Sequence, residues 1–156
     1  MYLPQHGTGV QKTDKFTFRS SLGTSVVYNW KITNGSSSFY EIQDCMKEFR
    51  EVRPYFYEDY YPLTGSGDIT GDNIWMAYQL YRPSDKSGFV VAFRREACPD
   101  KTHTVKLSGL DPDAVYSVTN KDTGETVSKS GRELAEGFVL TLDQPRSSLL
   151  LKYQAE

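Results

Sequence analysis

From Trp75 onward, apolar residues recur at every second position and turn signals arrive about every ten residues. A helix cannot present that period as one buried face, whereas a pleated strand does so automatically. Candidate strands fall at 75–81, 89–94, 103–107, 115–119, 125–128, 138–142 and 148–153. In Phe89-Val90-Val91-Ala92-Phe93 both faces are apolar, as a central strand requires, while Thr104-Val105-Lys106-Leu107 alternates like a half-exposed one. Pro83-Ser84-Asp85-Lys86-Ser87-Gly88, Leu110-Asp111-Pro112-Asp113 and Lys121-Asp122-Thr123-Gly124 supply turn chemistry, the last as a hairpin loop. Seven short strands without a clear intervening helix predict an antiparallel β-sandwich, with a single helical turn at 132–136 before the penultimate strand.

The first third of the chain follows different rules. Two short extended candidates, 15–19 and 25–30, are separated by Ser/Gly/Thr-rich turn material. One clear helix follows at about 38–53, with Ser38 as cap, Glu41 completing a capping box, and Ile42, Cys45, Met46, Phe49 and Val52 forming an apolar stripe. Pro54 ends it. The fold class is therefore mainly β: an antiparallel sandwich, residues 63–156, preceded by a short α/β segment, residues 1–62. Val26, Tyr28, Trp30 and the helical stripe have no partners in so short a segment and predict an exposed apolar surface, fit for a larger body or a second copy of the chain.

Composition excludes several functions. Eighteen basic and 20 acidic residues give a net charge of −2, which offers no field for nucleic acid, and no apolar run is long enough for a membrane span. The N-terminus has neither a basic leader nor an apolar core of signal-peptide length, so a soluble chain of unknown compartment is expected. Cys45 and Cys98 match no metal spacing and are read as free thiols. The loop Asp68-Ile69-Thr70-Gly71-Asp72-Asn73 supplies hard oxygens but lacks the ligand order of an EF-hand. No Ser/His/Asp or Cys/His triad and no phosphate loop can be assembled, so neither cofactor nor metal is expected.

The densest chemical signal is Arg53-Pro54-Tyr55-Phe56-Tyr57-Glu58-Asp59-Tyr60-Tyr61-Pro62-Leu63-Thr64. Aromatic rings interleaved with carboxylates suit a sugar, whose C–H faces lie on π-surfaces while its hydroxyls bond to acids and phenols. A tyrosine-rich connector that simply buries its rings explains the same run. Glu58 and Asp59, adjacent in an extended segment, point to opposite sides and make a poor catalytic pair.

The order of several motifs resembles the C-terminal end of the α-galactosidases of glycoside hydrolase family 36. They are Tyr2-Leu3-Pro4, Phe18-Arg19-Ser20-Ser21-Leu22-Gly23, Arg53-Pro54-Tyr55, Asp59-Tyr60-Tyr61-Pro62-Leu63-Thr64, Trp75-Met76-Ala77-Tyr78-Gln79-Leu80-Tyr81-Arg82-Pro83, Gly88-Phe89-Val90-Val91-Ala92-Phe93-Arg94-Arg95, Leu107-Ser108-Gly109-Leu110-Asp111-Pro112-Asp113-Ala114-Val115-Tyr116 and Ser130-Gly131-Arg132-Glu133-Leu134. The resemblance implies that residues 1–62 are the last elements of a (β/α)8 catalytic barrel and residues 63–156 the C-terminal sandwich. It also implies retaining hydrolysis by two aspartates, one in a Lys-Trp-Asp-like strand end. Trp30 and Trp75 are not followed by Asp, and Glu58 stands where the resemblance calls for a small residue.

No catalytic residue is therefore assigned. The candidate sugar contacts are His6, which the resemblance puts on a loop at the substrate end of the barrel, and Tyr57, Asp59 and Tyr60. The expected function is the C-terminal portion of an α-galactosidase-like hydrolase, not catalytic by itself, whose partner is the rest of the barrel or a homo-oligomer and whose ligand is a galactoside. The alternative is a freestanding carbohydrate-binding or structural β-sandwich module.

Overall fold

The computed structural model describes residues 14–25, 39–65 and 71–156, the side chains of 39–42 excepted. The chain divides into two compact units, Met1–Tyr57 and Glu58–Glu156. Residues 26–30 of the strand expected at 25–30, Ser38, the side chains of Glu41 and Ile42, and Asp68 lie outside the described residues. Among the described residues no helix is long and apolar enough to cross a membrane.

In the first unit, the segment expected to be a strand at 15–19 is instead a short helix, α1 (Lys15–Ser20). The decisive residue is Asp14, whose carboxylate accepts a hydrogen bond from the Thr17 amide at 2.7 Å and so satisfies an orphan donor of the first turn. Phe18 and Arg19 are buried, and the Arg19 guanidinium forms a two-pronged pair with Glu48 of the next helix, both bonds 2.8 Å. That helix, α2 (Phe39–Val52), buries Phe49 and Val52 and partly buries Cys45 and Met46, as its 3- and 4-residue spacing predicts. Pro54 does not stop the chain from coiling. The α-helix passes at Arg53 into a tighter 3-10 turn, Arg53–Tyr57, whose first turn tolerates a residue without an amide proton.

The second unit is built from eight strands: β1 (Asp59–Pro62), β2 (Trp75–Arg82), β3 (Ser87–Arg94), β4 (Thr102–Val105), β5 (Val115–Asn120), β6 (Thr126–Ser130), β7 (Phe138–Thr141) and β8 (Ser147–Ala155). Six form one antiparallel sheet in the order β1-β2-β3-β8-β5-β6, and β4 pairs with β7 in a second sheet of two. All seven expected strands are present, and β3 is indeed internal, with every residue buried. A further strand, β1, lengthens the sheet at one edge, where Pro62 costs no ladder bond. The helical turn α3 (Gly131–Glu136) opens with a capping box between Ser130 and Glu133.

The core joins the two sheets. Trp75, Ala77 and Tyr81 of β2, Val90 and Ala92 of β3, Leu149, Leu151 and Tyr153 of β8, and Tyr116 and Val118 of β5 meet Val105 of β4 and Leu140 of β7. Within this apolar cluster a few polar groups are fully satisfied. The Gln79 amide is wholly buried; its nitrogen donates to the Ser108 carbonyl at 2.9 Å and to the Tyr153 hydroxyl at 2.8 Å, and its oxygen accepts from the Ser108 amide at 2.8 Å. Tyr153 passes the chain on by donating to the Leu80 carbonyl at 2.9 Å. At the other end of β3, the Arg94 guanidinium donates to the carbonyls of Cys98, Pro99, Leu142 and Asp143, tying the β3–β4 connection to the chain beyond β7.

Gly88 lies between Tyr81 and Tyr153 across three neighbouring strands. With no side chain there, the two rings lean over the glycine and stack, centroids 6.3 Å apart and planes 18° from parallel, while Tyr116 meets Tyr153 edge-on at 6.1 Å. A β-carbon at residue 88 would collide with the Leu80 carbonyl and the Tyr153 ring. Gly88→Ala is therefore expected to destabilise the protein by about 1–3 kcal/mol through overpacking, read as a lower urea midpoint.

Burial also pushes the Tyr153 hydroxyl well above the ordinary phenol value of 10.0, and burial followed by its bond to Tyr116 does the same to Tyr81. A folded-state value above the unfolded one means full stability below pH 10 and loss above it, because only the unfolded chain gives up its phenol protons there. Thermal unfolding should show a small decline from about pH 8.5, where the unfolded Cys45 thiol begins to ionise, and a steeper fall above about pH 10 as the phenols do. Tyr153→Phe should lower the neutral-pH midpoint, removing the hydroxyl's bonds to Gln79 and the Leu80 carbonyl, and should lessen the alkaline fall.

Candidate functional site

The twelve-residue aromatic run is divided by the fold into three environments. Tyr55 is buried on the 3-10 turn and Tyr57, at its end, is 66% exposed beside an open, shallow depression lined by Arg50, Arg53 and Pro54. The Arg53 guanidinium donates to the Thr24 carbonyl at 3.1 Å and lies 6.0 Å from the centre of the Phe49 ring, so one of those two cations is already held within its own unit. These residues belong to the first compact unit, and Glu58 and everything after it to the second.

On β1, alternation separates the candidates. Asp59 stands opposite Tyr81 and Tyr61 opposite Gln79, on the face that carries the core; Tyr60 stands opposite Leu80 and Pro62 opposite Tyr78, on the other. The Tyr61 hydroxyl donates to the Asp59 carboxylate at 3.2 Å while its ring packs against the core cluster. Tyr60, 56% exposed, stacks on Tyr78 of β2 with centroids 5.5 Å apart and planes 29° from parallel. Burial raises both the Tyr60 and the Tyr61 hydroxyls above the ordinary phenol value, so both are neutral donors at neutral pH.

Of the four candidate sugar contacts, His6 lies outside the described residues. Tyr57 and Tyr60 are exposed rings, and Asp59 and Tyr60 project to opposite faces of the same strand and do not converge. The arrangement offers an exposed ring, Tyr60, backed by the half-buried Tyr78, against which a pyranose face could lie, and a separate carboxylate already bonded to a phenol. Tyr78 was visible in the sequence only as one of several alternating aromatics. Its register against Tyr60 sets it apart, since Trp75, Tyr81, Phe89 and Phe93 of the same pattern are all buried.

Other candidates resolve into structural roles. Trp75 donates its indole N–H to the Asp100 carbonyl at 2.9 Å and stacks on His103, centroids 5.8 Å apart. Ser20 and Ser21 donate to the carbonyls of Thr17 and Phe18, finishing α1. Cys45 and Cys98 are both free thiols, with burial raising the Cys45 value. Among the described residues no three His, Cys, Asp or Glu side chains gather as a metal site would require.

Comparison with known proteins yields a likeness of structure. No family model and no curated protein matches the sequence. Among solved structures the chain is similar to the galactosidase domain of the alpha-galactosidase-sucrose kinase AgaSK, with a TM-score of 0.68 and 20% identity. The match covers 99% of this chain and 21% of that one, so the chain spans about a fifth of the structure it resembles. It thus has a fold found within an α-galactosidase.

Proposed function

We propose that this chain is the C-terminal portion of an α-galactosidase-like glycoside hydrolase. The unit that ends at Tyr57 would derive from the end of the catalytic barrel, and the unit from Glu58 onward, which takes in β1, would be the β-domain that supports it. The observation that carries this reading is the fold likeness, which takes in nearly the whole of this chain and only a fifth of the enzyme domain it matches. A complete barrel takes roughly 200 residues or more, and the described part of the first unit contributes two helices and a 3-10 turn.

The chemistry supports a non-catalytic role for the chain alone. Retaining hydrolysis needs two carboxyls roughly 5–5.5 Å apart across the sugar. Of the two acids of the aromatic run, Asp59 is engaged by Tyr61, and neither tryptophan is followed by the aspartate that the nucleophile strand would carry. The nucleophile and the acid/base belong to the remainder of the barrel, which is the partner this chain requires. A galactoside is the ligand of that assembly; His6, Tyr57, Asp59 and Tyr60 are separate candidate contacts to it, Asp59 and Tyr60 on opposite faces of β1. A second reading, a freestanding carbohydrate-binding module, rests on the exposed Tyr60 ring stacked on Tyr78.

The two readings separate in solution. The purified chain should leave a chromogenic α-galactoside unhydrolysed and show no saturable galactose binding by calorimetry. Turnover that disappears in Asp59→Asn would overturn the proposal, and saturable binding that Tyr60→Ala removes would establish the module instead. Sequencing the gene upstream of Met1 should reveal a continuous or adjacent frame encoding the rest of a barrel. A stop codon and ribosome-binding site there, with no such frame nearby, would contradict the assigned origin.

A further inference from the structure

The edge of the large sheet opposite β1 is formed by β6, and its sequence is self-complementary. The hydrogen bonds flanking it, Asn120 N–H to the Glu125 carbonyl at 2.8 Å and Gly131 N–H to the Ala114 carbonyl at 2.9 Å, set the phase of the β5–β6 ladder. By strict alternation, Val127 and Lys129 turn their main-chain groups inward to Val118 and Tyr116, whereas Thr126 and Ser128 turn theirs outward, away from the sheet. Both outward residues are exposed, and Val127 is 46% exposed although it sits on the core side of the sheet.

We infer that β6 is a pairing edge for a second copy of this chain, the two strands running antiparallel about a two-fold axis at Val127. In that register Thr126 of each chain faces Ser128 of the other, and their outward N–H and carbonyl groups form four main-chain hydrogen bonds. Val127 meets its own copy as a close, non-hydrogen-bonded pair. Glu125 stands opposite Lys129 of the other chain, twice, on the same face as the valines. The charge order Glu125-Thr126-Val127-Ser128-Lys129 reads as its own complement only in this antiparallel sense; a parallel pairing would set Glu125 against Glu125 and Lys129 against Lys129.

Lys129 is the residue on which a rival reading turns, since a lysine at a sheet edge commonly blocks pairing. Here its ammonium is drawn along the strand into an ion pair with Glu133 at 2.9 Å, which holds Glu133 well below the usual carboxylate range, at about 2. Opposite a glutamate of the partner, the same ammonium would bridge two acids. A strand of five residues falls far short of the roughly 20–30 residues a side of a standard interface, so the dimer is weak and concentration-dependent.

Sedimentation equilibrium of the full chain, from about 10 to 500 µM, should show the mass rising from monomer toward dimer in the range where small interfaces associate. Ser128→Pro removes the outward N–H, which an edge strand tolerates, together with the hydroxyl's bond to Glu156 at 2.9 Å; it should give a monomer with the thermal midpoint of Ser128→Ala, which loses the hydroxyl alone and should still dimerise. Glu125→Lys and Lys129→Glu should each be monomeric alone and should form a one-to-one heterodimer when mixed. A wild-type chain that stays monomeric throughout would overturn the proposal and leave Lys129 as an edge guard. A dimer that survives Ser128→Pro, or variants that fail to complement each other, would overturn it as well.

Discussion

The β-domain is organised around a single phenol. The Tyr153 hydroxyl accepts a hydrogen bond from Gln79 and donates one to Leu80, and its ring lies over the bare backbone of Gly88 against Tyr81. Three adjacent strands, β2, β3 and β8, are thereby locked in one register, because a slip of one residue would turn the tyrosine to the other face. Gln79 extends the same constraint to the chain at Ser108, and Tyr116, which accepts the Asp111 amide at 3.0 Å, extends it to the start of the following turn. In a low-dielectric core each of these polar groups would be costly if unpaired, so together they single out one packing among the many that apolar contacts alone would allow.

The second constraint lies at the opposite end of β3. Arg94 is buried, and its guanidinium is held by main-chain carbonyls, those of Cys98, Pro99, Leu142 and Asp143. Two segments that flank the small sheet, one before β4 and one after β7, converge on this guanidinium. Its rigid fork of donors suits several carbonyls at once in a way that a lysine cannot match. The two-stranded sheet is thus positioned by polar bonds at its ends as well as by Val105 and Leu140 beneath it.

Much of this was legible in the sequence, for physical reasons that differ between elements. Strands β2 to β8 were readable because a half-buried pleat writes period two into its residues, and β3 because burial on both faces suspends it. α1 was misread because Phe16-Thr17-Phe18 alternates over too few residues to tell one period from the other; Asp14, its cap, was the better signal. β1 went unseen because its burial follows from pairing with β2, a partner that its own four residues do not specify. Within the aromatic run, composition pointed to sugar chemistry but could not tell Tyr55, buried, from Tyr60, exposed, and the register of β1 decided which acid and which ring share a face.

The strand order carries a consequence for how such a chain is made. β8, last in sequence, occupies the middle of the sheet between β3 and β5, so the ribosome delivers both of its neighbours before it delivers the strand that joins them. Until then β3, entirely apolar on both faces but for its ends, has one side without a partner while the growing chain waits. Such late, long-range closure slows folding and lengthens the interval in which an unfinished sheet can bind the wrong strand. A nascent chain of this topology is one for which a chaperone's shelter during synthesis has an evident physical purpose.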